Sequence, residues 1–151
     1  MKNLACGCPG SNVRTIEKKE TENTETGRIQ SELRQWPTQL HLVPPTAPWL
    51  QNADLLIAAD CTPFAYAEFH RDFIKDKVLV NACPKLDETS NYIEKLAAII
   101  GQNEIKSVTV TIMEVPCCRG LAMMAQQAIA ASGKDVPLET AVIGVDGERR
   151  N

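Results

Sequence analysis

Six cysteines occur in this 151-residue chain, and four of them close apolar runs. The apolar run Ala53–Asp60 stops at Cys61, the run Val78–Ala82 stops at Cys83, and the run Val108–Pro116 stops at Cys117 and Cys118. Cys8 lies with Cys6 in a Gly/Pro turn near the N-terminus. If the three runs are parallel strands, residues just past their ends meet at one edge of one sheet. That edge is where open α/β sheets bind ligands. Soft thiolates gathered there suit an iron–sulfur cluster, Zn²⁺ or Cu⁺. Zinc sites commonly use close C-x₂-C pairs. Here the thiols stand on separate loops, which suits a cluster several ångströms across. The C-x₂-C-x₂-C run of ferredoxins is absent, so the shared position at strand ends carries the argument.

The local sequences fit ligand loops. Cys8 and Cys83 are each followed by proline, and Cys117 follows Pro116. Proline removes an N–H and stiffens the loop that presents the sulfur. Cys118 is expected in the first turn of a helix, where free N–H groups stabilise thiolate. Lys85 and Arg119 stand beside these thiols and offset their charge. The candidate metal ligands are Cys8, Cys61, Cys83 and Cys117, with Cys118 lining the cofactor site. Cys6 competes with Cys8, whose CPGS turn is the stiffer. Adjacent cysteines are poorly placed to bind one iron, so one of Cys117 and Cys118 has another role. Free cysteine is also a small buried hydrophobe, which explains any single thiol but not their recurrence at strand ends.

Other residues read more simply. His41, in Leu-His-Leu, is expected in a strand, and His70 as a capping or surface group. Met113, Met123 and Met124 are expected to fill core gaps, and Trp36, Trp49, Phe64 and Phe69 to pack. Asp60 and Glu114 precede thiol positions and are placed to tune the site. No GxGxxG or Walker sequence occurs, which leaves nucleotide binding with little support.

The elements that must position the thiols follow from patterning. Residues 1–30 form a cysteine-containing turn and a polar linker; residues 31–151 form an α/β domain. Ser31–Trp36 is a helical turn or edge segment, stopped by Pro37. Asp54–Ala59, Lys77–Ala82, Val108–Val115 and Thr140–Val145 read as strands. Pro63–Ile74 reads as a helix with Thr62 as N-cap and Phe64, Ala67 and Ile74 inward. Ser90–Gly101 carries Ile93, Leu96, Ala97 and Ile100 at helical spacing. Cys118–Ser132 is a helix that Gly133 should end, and 144–147 is a terminal turn. Continuous apolar strands alternating with helices predict a parallel sheet covered on both faces, a three-layer flavodoxin-like sandwich.

Composition bounds the function. The net charge is −3, with no basic block, which argues against nucleic acid. No apolar stretch is long enough to span a bilayer, and the first residues lack the apolar core of a secretory signal. The expected compartment is the cytoplasm, where cysteines serve metal or thiol chemistry more than disulfides.

The stretches RQWPTQLHLVPPTAPWLQNADLLIAADCTPFAYAEFH, CPKLD, SVTVTIMEVPCCRGL and ASGKDVPLE add a resemblance. They are similar to a domain of iron–sulfur proteins from anaerobic microbes that commonly follows a module with two ferredoxin-type clusters. The likeness runs from about residue 31 to 148, with CPGS as a separate match. It implies an iron–sulfur context, 4Fe–4S or an atypical variant, for Cys8, Cys61, Cys83, Cys117 and Cys118. This chain has no ferredoxin module, so a ferredoxin-type or other redox partner, or a second copy, would complete the system. The leading expectation is thus an iron–sulfur redox protein in electron transport. A thiol enzyme for sulfur transfer or disulfide reduction, with Cys118 as nucleophile and Cys117 or Cys8 resolving, is the first alternative. A structural zinc module is the second.

Overall fold

The computed structural model describes residues 8–18 and 27–151; Cys6 lies outside the described residues. Four strands form one all-parallel sheet: β3 (Asp54–Ala59), β4 (Val78–Ala82), β5 (Ser107–Met113) and β6 (Leu138–Ile143), in the order β4-β3-β5-β6. β3, β4 and β5 are mostly β-branched or aliphatic because both sheet faces are covered there, while edge strand β6 buries only Ala141 and Ile143. Leu55, Leu56, Ile57, Val80, Val110 and Ile143 carry the centre of the core.

The connections explain the layers. The chain leaves β3 toward β4, then returns past β3 through α2 (Tyr92–Gln102) to β5, and moves on through α3 (Arg119–Ser132) to β6. Right-handed crossovers in opposite directions put their covers on opposite faces. Residues 60–77 therefore cover one face, and α2 and α3, which pack on each other, cover the other. This is the expected three-layer arrangement. Tyr92, Leu96, Ile99 and Ile100 form the buried stripe of α2, and Leu121, Ala125 and Ala128 that of α3. Ile93 and Ala97 are only partly buried. Gly133 ends α3 in the left-handed conformation, φ 72°, its N–H bonded to the Ala130 carbonyl, as a C-terminal glycine should.

Residues 63–74 do not form the expected single helix. Helix α1 is only Thr62–Ala65; the backbone is extended at Tyr66, and a π-type turn follows at His70–Ile74. The buried face is also not the expected one. Phe69, Phe73 and Ile74 are all in the core, whereas Phe64 is 93 % exposed and Ala67 is exposed as well. Phe73 meets Tyr66 edge-on and Phe69 at a tilt, each with centroids 5.2 Å apart. Tyr66, Phe69 and Phe73 stand at i, i+3 and i+7, on the side of a helical wheel opposite the Phe64 and Ala67 face that was expected inward. Nor is Thr62 the N-cap: Cys61 holds that position, and Thr62 is buried.

Both sheet edges are closed. Beside β4, Thr38 and Leu40 bond Asn81 through the backbone, and the buried Gln35 amide donates to the Leu79 carbonyl at 2.6 Å. Beside β6, the C-terminal residues fold back, with the Arg150 N–H on the Val142 carbonyl at 2.8 Å and Asn151 bonding Val142 and Thr140. An unpaired edge would invite strand addition. The N-terminal segment is fastened to the domain by β1 (Arg14–Thr15), antiparallel to β2 (Gln35–Trp36). His41 lies in a turn rather than a strand, its ring tilted against Tyr92 at 4.7 Å.

Candidate functional site

The direction of chain travel reverses between β3 and β5. The loop leaving β3 turns toward β4, and the loop leaving β5 turns toward β6. A crevice opens at such a switch point. Cys61 caps the first loop, and Cys117 and Cys118 form the second, within the 3₁₀ turn Pro116–Cys118 that leads into α3. Cys83 follows β4, one strand further along. The backbone at Gly120 comes so near the CPK loop that a Cβ there would lie 3.5 Å from that of Pro84.

The two sides of the crevice are tied together. Thr62 donates to the Ala59 carbonyl at 2.8 Å and shares a 2.9 Å hydrogen bond with the Thr111 hydroxyl. Asp60 accepts a hydrogen bond from the Asn81 amide at 2.8 Å, and its N–H reaches the Ala82 carbonyl at 3.1 Å. Glu114 is engaged by Arg150 at 2.9 Å, which also pairs with Asp146 at 3.0 Å. The turn at Gly147, φ 86°, packs so closely on α1 that a Cβ would sit 2.7 Å from the Ala65 carbonyl oxygen.

The thiols differ in setting. Cys8, Cys61 and Cys117 are exposed, and Cys83 is half-buried. Cys118 is 6 % exposed and belongs to the core. Burial pushes its thiol up from the ordinary value; a backbone hydrogen bond at Met113 works against that, and Cys117 and Cys61 add to it. The expected helix-terminus activation of Cys118 is thus outweighed by desolvation.

Cys83 sits in the most elaborate loop. Its sulfur receives the Leu86 N–H at 3.3 Å. Its own N–H donates to Asp87 Oδ2 at 2.9 Å, and the same oxygen accepts from the Tyr92 hydroxyl at 2.5 Å and the Gln39 amide at 3.2 Å. Burial, then Asp87, pushes the Tyr92 phenol far above its ordinary range. Asp87 was not singled out by sequence reasoning; an acidic residue four positions past a loop cysteine was the available signal. Lys85 and Arg119 are both exposed beside these loops.

The Cys8 turn is held by several bonds. Ser11 N–H and Oγ reach the Cys8 carbonyl at 3.1 and 3.0 Å, Arg14 donates to the Pro9 carbonyl at 2.9 Å, and Trp36 Nε1 donates to the Gly10 carbonyl at 2.7 Å. The β1–β2 pairing and the Trp36 bond tie this turn to β2. His70 accepts the Glu32 N–H on its Nδ1 at 3.1 Å. Among the described residues, no three His, Cys, Asp or Glu side chains stand close enough to hold one metal ion.

This is an α/β domain whose four-stranded sheet is all-parallel, with cysteines in the loops that follow three adjacent strands. Residues 47–150 match the family model of the Rossmann-like domain, and the chain belongs to that family. It is 34 % identical over 116 residues to an uncharacterized protein of Archaeoglobus fulgidus, spanning 77 % of this chain and 81 % of that one. No solved structure matches. The loop after β3, Asp60-Cys61-Thr62-Pro63, has no glycine, whereas the first turn of a dinucleotide-binding sheet uses glycines to approach a pyrophosphate. No helix among the described residues is long and apolar enough to cross a membrane.

Proposed function

We propose that the thiol rim binds an iron–sulfur cluster and that the protein is a one-electron redox carrier. The observation that supports this most is positional. Cys61, Cys83 and Cys117 each follow the C-terminal end of one of three adjacent parallel strands, around the switch crevice. A cluster spreads its ligand sulfurs farther apart than a single ion does, so thiols on separate rigid loops suit it.

The settings of the thiols sort their roles in this reading. Cys61, Cys83 and Cys117 are ligands from the strand-end loops and Cys8 is the fourth; the exposure or half-exposure of all four supports this. Cys118, buried behind them, lines the site. The Leu86 N–H on Cys83 is the kind of donor that withdraws charge from a ligand sulfur. When bound, the cluster supplies reversible uptake of one electron. The chain holds the sulfurs in place, and Lys85 and Arg119 offset negative charge. The partner is a ferredoxin-type or other redox protein reaching the exposed rim, and the compartment is the cytoplasm.

The sulfur-transfer alternative needs a ready thiolate at Cys118, and burial there acts in the opposite direction. A zinc module is separated from the cluster by elemental analysis of protein purified without oxygen. The decisive test is anaerobic reconstitution with measurement of iron and acid-labile sulfide. Wild-type protein should take up both and develop thiolate-to-iron absorption. Cys61→Ser and Cys83→Ser should lose both. Full iron and sulfide content in the two variants would overturn the assignment.

A further inference from the structure

Asp87 is gripped from three elements. Its Oδ2 accepts from Tyr92 at the start of α2, from Gln39 in the segment flanking β4, and from the N–H of Cys83 itself. Tyr92 is fully buried, and the Asn81 bonds to Thr38 and Leu40 fasten the Gln39 segment to the sheet. The carboxylate is therefore anchored to the body of the domain, and the loop it caps hangs from it. The same loop brings the Leu86 N–H onto Cys83 Sγ at 3.3 Å. One contact fixes the backbone of Cys83, and the other fixes its sulfur.

We propose that Asp87, braced by Tyr92, is the positioning residue for Cys83 and sets a fixed negative charge behind its sulfur. The charge component rests on the iron–sulfur reading; the brace does not. A fixed anion beside a redox centre disfavours the more negative, reduced state and so lowers its potential, the more so where water is excluded. The Leu86 N–H acts the other way, because a donor to sulfur raises the potential.

The variants separate the two effects. Asp87→Asn keeps an oxygen to accept the Cys83 N–H and removes the charge. Tyr92→Phe keeps the ring and the charge but removes the strongest clamp on the carboxylate. Asp87→Ala removes everything. Two measurements are made on each folded protein: the midpoint potential with iron and sulfide content after anaerobic reconstitution, and the rate at which iodoacetamide alkylates Cys83 in the metal-free protein. Asp87→Asn should retain iron and sulfide and shift to a more positive potential. Asp87→Ala should expose Cys83 to alkylation several-fold faster, with Cys61 and Cys117 unchanged. Tyr92→Phe should speed Cys83 in the same direction, and it carries the test if Asp87→Ala does not fold. An unmoved potential in loaded Asp87→Asn, or a wild-type Cys83 rate in the brace variants, would overturn the proposal. If even wild-type protein takes up no iron and sulfide, the cluster reading is what fails, and the alkylation rates alone decide the brace.

Discussion

The hydroxyls of Thr62 and Thr111 meet at 2.9 Å, joining the loop that carries Cys61 to the strand that leads to Cys117. Both residues are fully buried. Thr62 also donates to the Ala59 carbonyl, so one hydroxyl closes the strand end and spans the switch point. Thr62→Val leaves Thr111 with an unanswered buried hydroxyl and should cost about 1–3 kcal/mol in urea unfolding. The double variant with Thr111→Val should lose less than the sum of the single changes, because it removes both members of the pair. Strictly additive losses would show that the two hydroxyls do not cooperate.

Cys118 should be the slowest of the described thiols to react. It is buried, and that burial holds the thiol protonated, while reactivity follows thiolate content and access. Timed alkylation of metal-free protein, followed peptide by peptide, should modify Cys61 and Cys117 well before Cys118. Fastest modification at Cys118 would instead favour the thiol-enzyme reading.

Two glycines with positive φ should respond unequally to alanine. At Gly133, φ 72°, a Cβ meets nothing within 4 Å, so only backbone strain is felt, about 1 kcal/mol. At Gly147, φ 86°, the same Cβ would stand 2.7 Å from the Ala65 carbonyl oxygen. Gly147→Ala adds a clash between the terminal turn and α1 to the strain, and should cost more than about 1 kcal/mol by thermal or urea unfolding. Equal losses in the two variants would show that the turn yields to the methyl group.

At the opposite edge of the sheet, Ser107 donates to Asp54 at 2.6 Å and Lys106 lies 3.4 Å away. The serine contact first, and the lysine after the opposing cost of burial, hold the Asp54 carboxyl below its ordinary value of 3.8. A lowered folded value means that the stabilisation is present above the unfolded value and lost as pH falls through the folded one. Ser107→Ala should therefore cost about 1 kcal/mol or less at neutral pH, solvent screening included. That difference from wild type should shrink steadily in acid below about pH 4. A gap that stays constant into acid would remove the carboxylate from the account.

Much of this molecule was legible from residue order because the signals were local. Strands buried on both faces announce themselves as apolar runs, and β3, β4 and β5 stand close to where patterning put them, whereas the half-exposed edge strand β6 begins two residues before the expected Thr140. Gly133 ends α3 because few other residues take that backbone conformation without strain. The recurrence of cysteine after strands pointed to one rim without any coordinates. What failed locally was Pro63–Ile74. Two faces at helical spacing compete there, Phe64 with Ala67 and Tyr66 with Phe69 and Phe73, and only the packed sheet shows which is buried. Thr62, suited by type to cap a helix, found better partners in Ala59 and Thr111. The strand order, which places Cys61 and Cys117 across the switch point, is a matter of which strands pair over long sequence distances. The partners of Asp87 likewise come from Gln39, 48 residues earlier, and Tyr92 on the next helix. The chain alone thus determined which residues carry sulfur and that they end strands, because both are properties of neighbours in sequence. Tertiary structure alone decided which thiol is buried, which loops touch and what braces Cys83, because desolvation and hydrogen bonding depend on groups that only folding brings together.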